Sequence, residues 1–331
     1  MNRYNIILIA FLLFFSGCSD LLVNGPESNL NMDDFNSAWQ IANKYYPFFK
    51  FKKINWDSLY TKFKPQAEAA RGDEIYNVLY QMFRELKDGH IEILTEGGFP
   101  VMTYDWPRDI DRKAFNSIVV SSYFNSPLKL AGEDKYDYGI TANNIGYVCI
   151  STFSDDDNIW YKDFDKIMEY FRDTKGIIVD VRNNGGGNSN SADYIIARLI
   201  EEPIKDIWYT YSVVNSSIIN PVEPSGFLKS VVVLINGASF SAAESFPELL
   251  RQSPNVTLIG DTTGGGGGIN DYYSLPSGKR LKIAFGYNIR LDSTMIEWNG
   301  VLPDILVTQT AADIANGHDK QLEYAINFLN R

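Results

Sequence analysis

Apolar side chains recur at helical spacing from Asp33 onward. Phe35, Trp39, Ala42 and Tyr46 form one stripe, ended by Pro47, and Trp56–Phe63 predicts a second short helix that stops before Pro65. A third opens at Asp73-Glu74, with Ile75, Val78, Leu79, Met82, Phe83 and Leu86 on one face. The spacing therefore predicts a small helical bundle over 31–94, with His90 just past its last helix. From about residue 95 the pattern changes. Residues 145–153, 176–181, 231–235 and 256–260 are apolar, β-branched runs of strand length, and between them Ile159–Phe171, Ser189–Ile200 and the stretch from Ala242 to Leu250 are periodic as helices. Strand and helix in alternation predict an α/β layered core over 95–331. Arg280–Arg290 alternates over a longer run and predicts a hairpin at a sheet edge. A last helix runs from Asp319 with Leu322, Ala325, Ile326 and Leu329 on one face.

One stretch is apolar throughout: Ile6–Phe15, after a short basic start and before Ser16-Gly17-Cys18. Ten residues are too few to span a bilayer as a mature helix but suit the core of a signal peptide. Small residues before a cysteine resemble the lipobox of bacterial lipoproteins, with Phe15 a departure from its smaller aliphatic residue. The resemblance implies a signal peptide over 1–17, acylation at Cys18, a polar tether over 18–30, and a lipid-anchored place in the bacterial cell envelope, with the membrane reached through that lipid. With Cys18 acylated, Cys149 is the one thiol left. It reads as a small core residue, and neither cysteine has metal-site spacing. The chain has 331 residues, 45% of them hydrophobic, enough for one large domain or two coupled ones. A formal charge of −11 excludes nucleic acid as a partner, because phosphate neutralisation needs a basic face.

Three segments carry candidate chemistry. Asn236-Gly-Ala-Ser-Phe-Ser-Ala-Ala-Glu244 follows a strand and enters a helix, so Ser241 is held forward as a nucleophile and the amide of Ala242 can donate to a developing oxyanion. Ser239 is expected to serve loop hydrogen bonding, Ser245 the helix surface, and Glu244 the first helical turn. Asp180-Val-Arg-Asn-Asn-Gly-Gly-Gly187 leaves another strand, and its glycines permit backbone amides to point into a pocket. No Gly-Lys-Ser/Thr follows, so a phosphate loop is not indicated. A serine hydrolase needs a base, and the chain has two histidines. His318 in Asn316-Gly-His-Asp319 is expected at the entry to the last helix. His90, after Gly89 at a helix-to-loop break, is the base by elimination if the chain is a His-dependent hydrolase. The five glycines 264–268 are expected to form a mobile loop near the cleft or, failing that, a simple tight connection.

In their order, Lys87-Asp-Gly-His90, the 180–187 and 236–244 segments, Gly260-Asp-Thr-Thr-Gly-Gly265 and Asn299-Gly-Val-Leu-Pro-Asp304 resemble the tail-specific (C-terminal processing) serine peptidases. The resemblance spans about residues 30–330 and implies a crotonase-like α/β core. One branch of the family uses a Ser–Lys dyad, but no lysine lies between Ser241 and Lys279. The other resembles the tricorn core protease, and its pattern places a histidine at His90 and a glutamate at Glu297. The resemblance therefore implies a serine peptidase acting on peptides or unfolded proteins without cofactor or metal. Ser241 would be its nucleophile, His90 the base, Glu297 the orienting group, and the amides of Gly187 and Ala242 the oxyanion hole. Tricorn-type sites carry a serine where this chain has Gly89, so the Glu297–His90 link is expected to be direct, to run through water, or to be taken over by Asp88. The roughly 50 residues from Ile91 to Asn143 are too few for the PDZ module that many members insert. Two other readings share the fold: a non-catalytic binder of apolar ligands, and an acyl hydrolase acting on non-peptide esters.

Overall fold

The computed structural model describes residues 30–331 apart from 95–99, 105–111, 155–158, 212, 223–226, 228 and 291. The signal segment, Cys18 and nearly all of the tether lie outside the described residues.

The bundle consists of α1 (Leu30–Tyr45), α2 (Trp56–Ala69) and α3 (Glu74–Arg84). Asn55 caps α2 by accepting from the Ser58 amide at 2.9 Å. This helix continues through Pro65 instead of stopping before it. An interior proline costs about 3 kcal/mol. Here Phe63 and Ala67, buried on either side of it, anchor the helix in the bundle core with Phe35, Ala38, Leu79 and Phe83.

The remaining elements are β1 (Glu92–Leu94), β2 (Pro100–Met102), α4 (Ser117–Ser121), β3 (Lys129–Ala131), β4 (Tyr136–Ile140), β5 (Gly146–Ile150), α5 (Phe164–Tyr170), β6 (Ile177–Asp180), α6 (Ser189–Leu199), β7 (Ile204–Thr210), β8 (Val213–Ile219), β9 (Val231–Ile235), α7 (Ala242–Leu250), β10 (Val256–Gly260), β11 (Gly268–Ser274), β12 (Arg280–Asn288), β13 (Ile305–Leu306), α8 (Ala311–Ala315) and α9 (Lys320–Leu329). They form two sheets. The first has the order β13-β10-β9-β6-β5-β4-β3 and is parallel from β13 to β5. Its central strands are buried at every position because helices cover both faces. Val179, Val231 and Val233 face α5, α6 and α7, while the alternate residues Ile178, Val232 and Leu234 face α4 and α9. This is the layered α/β core that the strand–helix alternation predicts.

The second sheet was not legible as a sheet. It is antiparallel, of order β2-β1-β12-β7-β8, and β11 also pairs with β12. The 280–290 run does form a hairpin, with β11, but β12 is the pivot of this sheet and not its edge. Leu281, Ile283 and Ala284 of β12 complete the core of the helical bundle, which explains the length of the strand. The interval where a PDZ module would be inserted is instead occupied by β1 and β2 of this sheet and by α4, β3 and β4.

Candidate active site

Two adjacent parallel strands, β6 and β9, deliver the site from their C-terminal ends, the usual place for ligands in such sheets. After β9, Asn236 folds the chain back: its Oδ1 accepts from the amides of Asn183 (3.0 Å) and Ala238 (3.1 Å). Ser239 is fully buried, donates to the Val181 carbonyl at 2.8 Å and accepts from the Asn236 amide at 3.1 Å. Its loop-bonding role is thus a stitch between the two strands. Ser241 follows at φ 59° and ψ −123°, a conformation costing a serine about 1–3 kcal/mol. Glu244 holds it there, its Oε2 accepting from the Ser241 amide at 3.0 Å while its own amide donates to the Ser241 carbonyl at 2.8 Å. Ala242 is the first residue of α7, so its N–H has no acceptor within the helix and is free to meet a ligand oxygen.

The glycine turn after β6 lies against this elbow. Asn184 anchors it, donating to the Ile150 carbonyl at 2.9 Å and accepting from the Gly186 amide at 2.8 Å. Gly186 has φ 93°, and a Cβ there would stand 2.7 Å from Ser241 Cβ and 2.9 Å from the Ala242 nitrogen. Gly187 has φ 145°, and a Cβ would come within 2.1 Å of the Phe153 carbonyl carbon. The glycines are therefore required by close approach, and they bring Gly187 to the cleft beside Ser241. Below the turn, the fully buried Arg182 donates to Asp180 (2.7 Å) and Asp319 (2.8 Å), tying the end of β6 to the start of α9. Asp319 also caps α9 through Leu322, a task expected of His318, which is exposed and sits 3.1 Å from Glu323 instead.

The glycine loop is not the mobile segment its composition suggests. Gly264, Gly265, Gly266 and Gly267 are buried, and each amide donates: to Ser239, twice to Glu244, and to Glu297. Glu244 accepts from Thr263 Oγ1 as well, so one carboxyl joins the elbow to this loop. Burial raises its pKa, and these donors oppose the rise. A side chain would not fit: a Cβ on Gly266 would overlap the Phe240 ring at 2.1 Å.

His90 enters from the bundle side. Its ring is buried, lies 4.6 Å from the Phe240 ring, and has Nδ1 3.8 Å from Asp88 Oδ1, which also accepts the His90 amide at 2.9 Å. Asp88 Oδ2 faces Tyr46 Oη at 2.8 Å and Lys52 Nζ at 3.6 Å. Glu297 is buried too, but Oε1 engages Lys52 Nζ at 2.6 Å and Oε2 accepts from Gly267. Burial alone would raise the Asp88 pKa. The Lys52 and His90 charges, with hydrogen bonds from the His90 amide and Tyr46, outweigh it and hold the carboxyl below its ordinary value. Glu297 is pushed up to about 8, by burial first and by Asp88 second, against the pull of Lys52.

Ser241, Ala242, Gly187 and His90 line one cleft of about 920 Å³. Ser245 also faces it, bonded to Asn288, so it is not simply helix surface. Farther along stand Trp208 and the carboxyls of Asp193 and Asp206. Among the described residues no three His, Cys, Asp or Glu side chains gather to hold a metal ion. Cys149 is buried among core residues, which raises the pKa of its thiol. Sequence reasoning missed Lys52, whose setting in Lys50-Phe-Lys-Lys53 reads as a solvated charge run. It also missed the Arg182–Asp319 pair, whose partners lie far apart in the chain.

Comparison with known proteins agrees with this geometry. The profile of peptidase family S41 matches residues 144–307, and that of the tricorn protease C1 domain matches residues 31–84. A crystal structure of a candidate peptidase from Parabacteroides merdae is 30% identical and superposes with a TM-score of 0.78, over 90% of this chain and 96% of that one. The carboxy-terminal processing protease CtpA of Bacillus subtilis is 24% identical over 91% of this chain and 74% of that protein. The tricorn protease of Thermoplasma acidophilum is 28% identical over 47% of this chain and 14% of its own length. A strained serine at a helix start, a glycine turn packed on it, a buried histidine across one cleft, and two profiles in chain order together make this chain a member of peptidase family S41, a serine peptidase.

Proposed function

We propose that the chain cleaves peptide bonds through an acyl-enzyme on Ser241, with His90 as the base. The observation that carries this is the convergence on one cleft of Ser241, held at φ 59°, and the buried His90. His90 takes the hydroxyl proton as Ser241 Oγ attacks the substrate carbonyl carbon. The resulting oxyanion is met by the amides of Gly187 and Ala242. His90 then gives the proton to the departing amine, and a water deprotonated by the same ring releases the acyl group. Asp88 and Glu297 form the acidic backing of the base, with Asp88 nearer the ring.

Incubating the protein with a fluorescent peptide library and a fluorophosphonate probe tests this reading. Ser241→Ala should lose all labelling and about 10⁶ in turnover; near-wild-type cleavage would sink the assignment. The substrates proposed are peptides or unfolded proteins. We also propose that the protein is held in the bacterial cell envelope by lipid on Cys18, from the Ile6–Phe15 and Ser16-Gly-Cys18 pattern. Metabolic labelling with an alkyne fatty acid checks this, and a wild-type protein that takes up no label would refute it.

A further inference from the structure

The base side holds a cation to which the acyl-transfer scheme gives no task. Lys52 lies between α1 and α2, and its side chain is fully buried. Its ammonium is 2.6 Å from Glu297 Oε1 and 3.6 Å from Asp88 Oδ2. It donates to Tyr46 Oη at 2.9 Å and to the Leu86 carbonyl at 3.1 Å, and it sits 5.0 Å over the Trp298 ring. Lys52 does not line the cleft, so it does not touch substrate.

The oxygens of the two carboxylates divide their work around it. Asp88 turns Oδ2 to Lys52 and Tyr46 and Oδ1 to His90. Glu297 turns Oε1 to Lys52 and Oε2 to the glycine loop. Two buried carboxylates this close do not both ionise without a counter-charge, and a lone buried ion costs far more than a paired one. Lys52 supplies that charge. It also joins the α1–α2 connection, the loop that bears His90, and the segment that bears Glu297.

We propose that Lys52 is a positioning residue of the peptidase site: it fixes Asp88 behind His90 Nδ1, and Glu297 acts on the base through Lys52. The inference rests on the peptidase reading above. Its test compares Lys52→Met, Glu297→Gln and the double variant in the full chain, by peptide turnover with melting curves alongside. Lys52→Met should lower kcat about 10²-fold with KM unchanged within about twofold, the range for loss of an effective general base. Glu297→Gln keeps an oxygen to accept from Lys52 and should cost only about tenfold, the weaker of the two. A Lys52→Met enzyme within about threefold of wild type, or a Glu297→Gln enzyme slower than Lys52→Met, overturns the proposal. If Lys52→Met does not fold, the double variant, which removes both members of the buried Lys52–Glu297 pair together, takes its place. It should run at least about tenfold below Glu297→Gln, and equality with Glu297→Gln overturns the proposal. Fluorophosphonate labelling of the wild type separates the two claims. An unlabelled Ser241 refutes the peptidase reading itself, whereas a labelled wild type with an unaffected Lys52→Met refutes only the role of Lys52.

Discussion

On one side of the cleft Ser241 is aimed by backbone: strand ends, a strained turn, amides that donate to Asn184 and Glu244, and glycines that admit no Cβ. On the other side His90 is backed by buried charge, with Asp88, Lys52 and Glu297 within 4 Å of one another or of the ring. Steric fit does not change with pH and tolerates almost no substitution. A charge group depends on every member being present in the right protonation state. The side proposed to supply the nucleophile is thus built to be rigid, and the side proposed to supply the base to be tuned.

The contrast can be broken in three ways. The largest effect should come from Gly187→Ala, whose methyl would meet the Phe153 backbone. With the amide proposed for the oxyanion displaced, kcat should fall about 10²–10³-fold, and single-turnover kinetics would show the loss in acylation. A variant with normal acylation would refute the dependence of the site on backbone placement. Next comes Glu244→Gln. One carboxyl now accepts from four donors, and an amide has a single oxygen to offer. Stranding buried N–H groups costs about 1–3 kcal/mol, so the melting temperature should drop by several degrees. The smallest effect tests pH. Asp193, on α6 past the glycine turn, has its carboxyl pushed up to about 6 by burial and by Asp206. Raised above its unfolded value, this group favours the fold fully below about pH 4, and the benefit is lost as pH rises through 6. Asp193→Asn should therefore raise the melting temperature by roughly 2–4 °C at pH 7.5 and leave it unchanged near pH 4. An equal gain at both pH values would show that titration of Asp193 does not set the stability of this side.

The same contrast explains what the sequence could show. Ser241 was legible because a local pattern, an apolar strand followed by a helical stripe, defines its turn. The glycines of 185–187 were legible for the same reason. Their partners in space were not, because Arg182 meets Asp319, and Lys52 meets Glu297, across more than a hundred residues of chain. The glycine loop misled in the other direction. Composition suggested motion, whereas its amides are held by Glu244 and Glu297, two carboxyls whose hold on this loop no local pattern announces. The second sheet escaped because its six strands come from three stretches far apart in the chain, and only the length of β12 hinted at a role beyond one hairpin.

The docking of the helical bundle on β12 has a consequence for synthesis. The bundle emerges from the ribosome well ahead of β12, with its loop bearing His90, but its core lacks Leu281, Ile283 and Ala284 until that strand has followed. Glu297 arrives later still. On the proposed roles, a nascent chain therefore carries every residue that braces the Ser241 turn from the glycine loop before it carries every residue behind His90. Because contacts so distant in sequence close slowly, the loop bearing His90 is expected to reach its final packing late in folding.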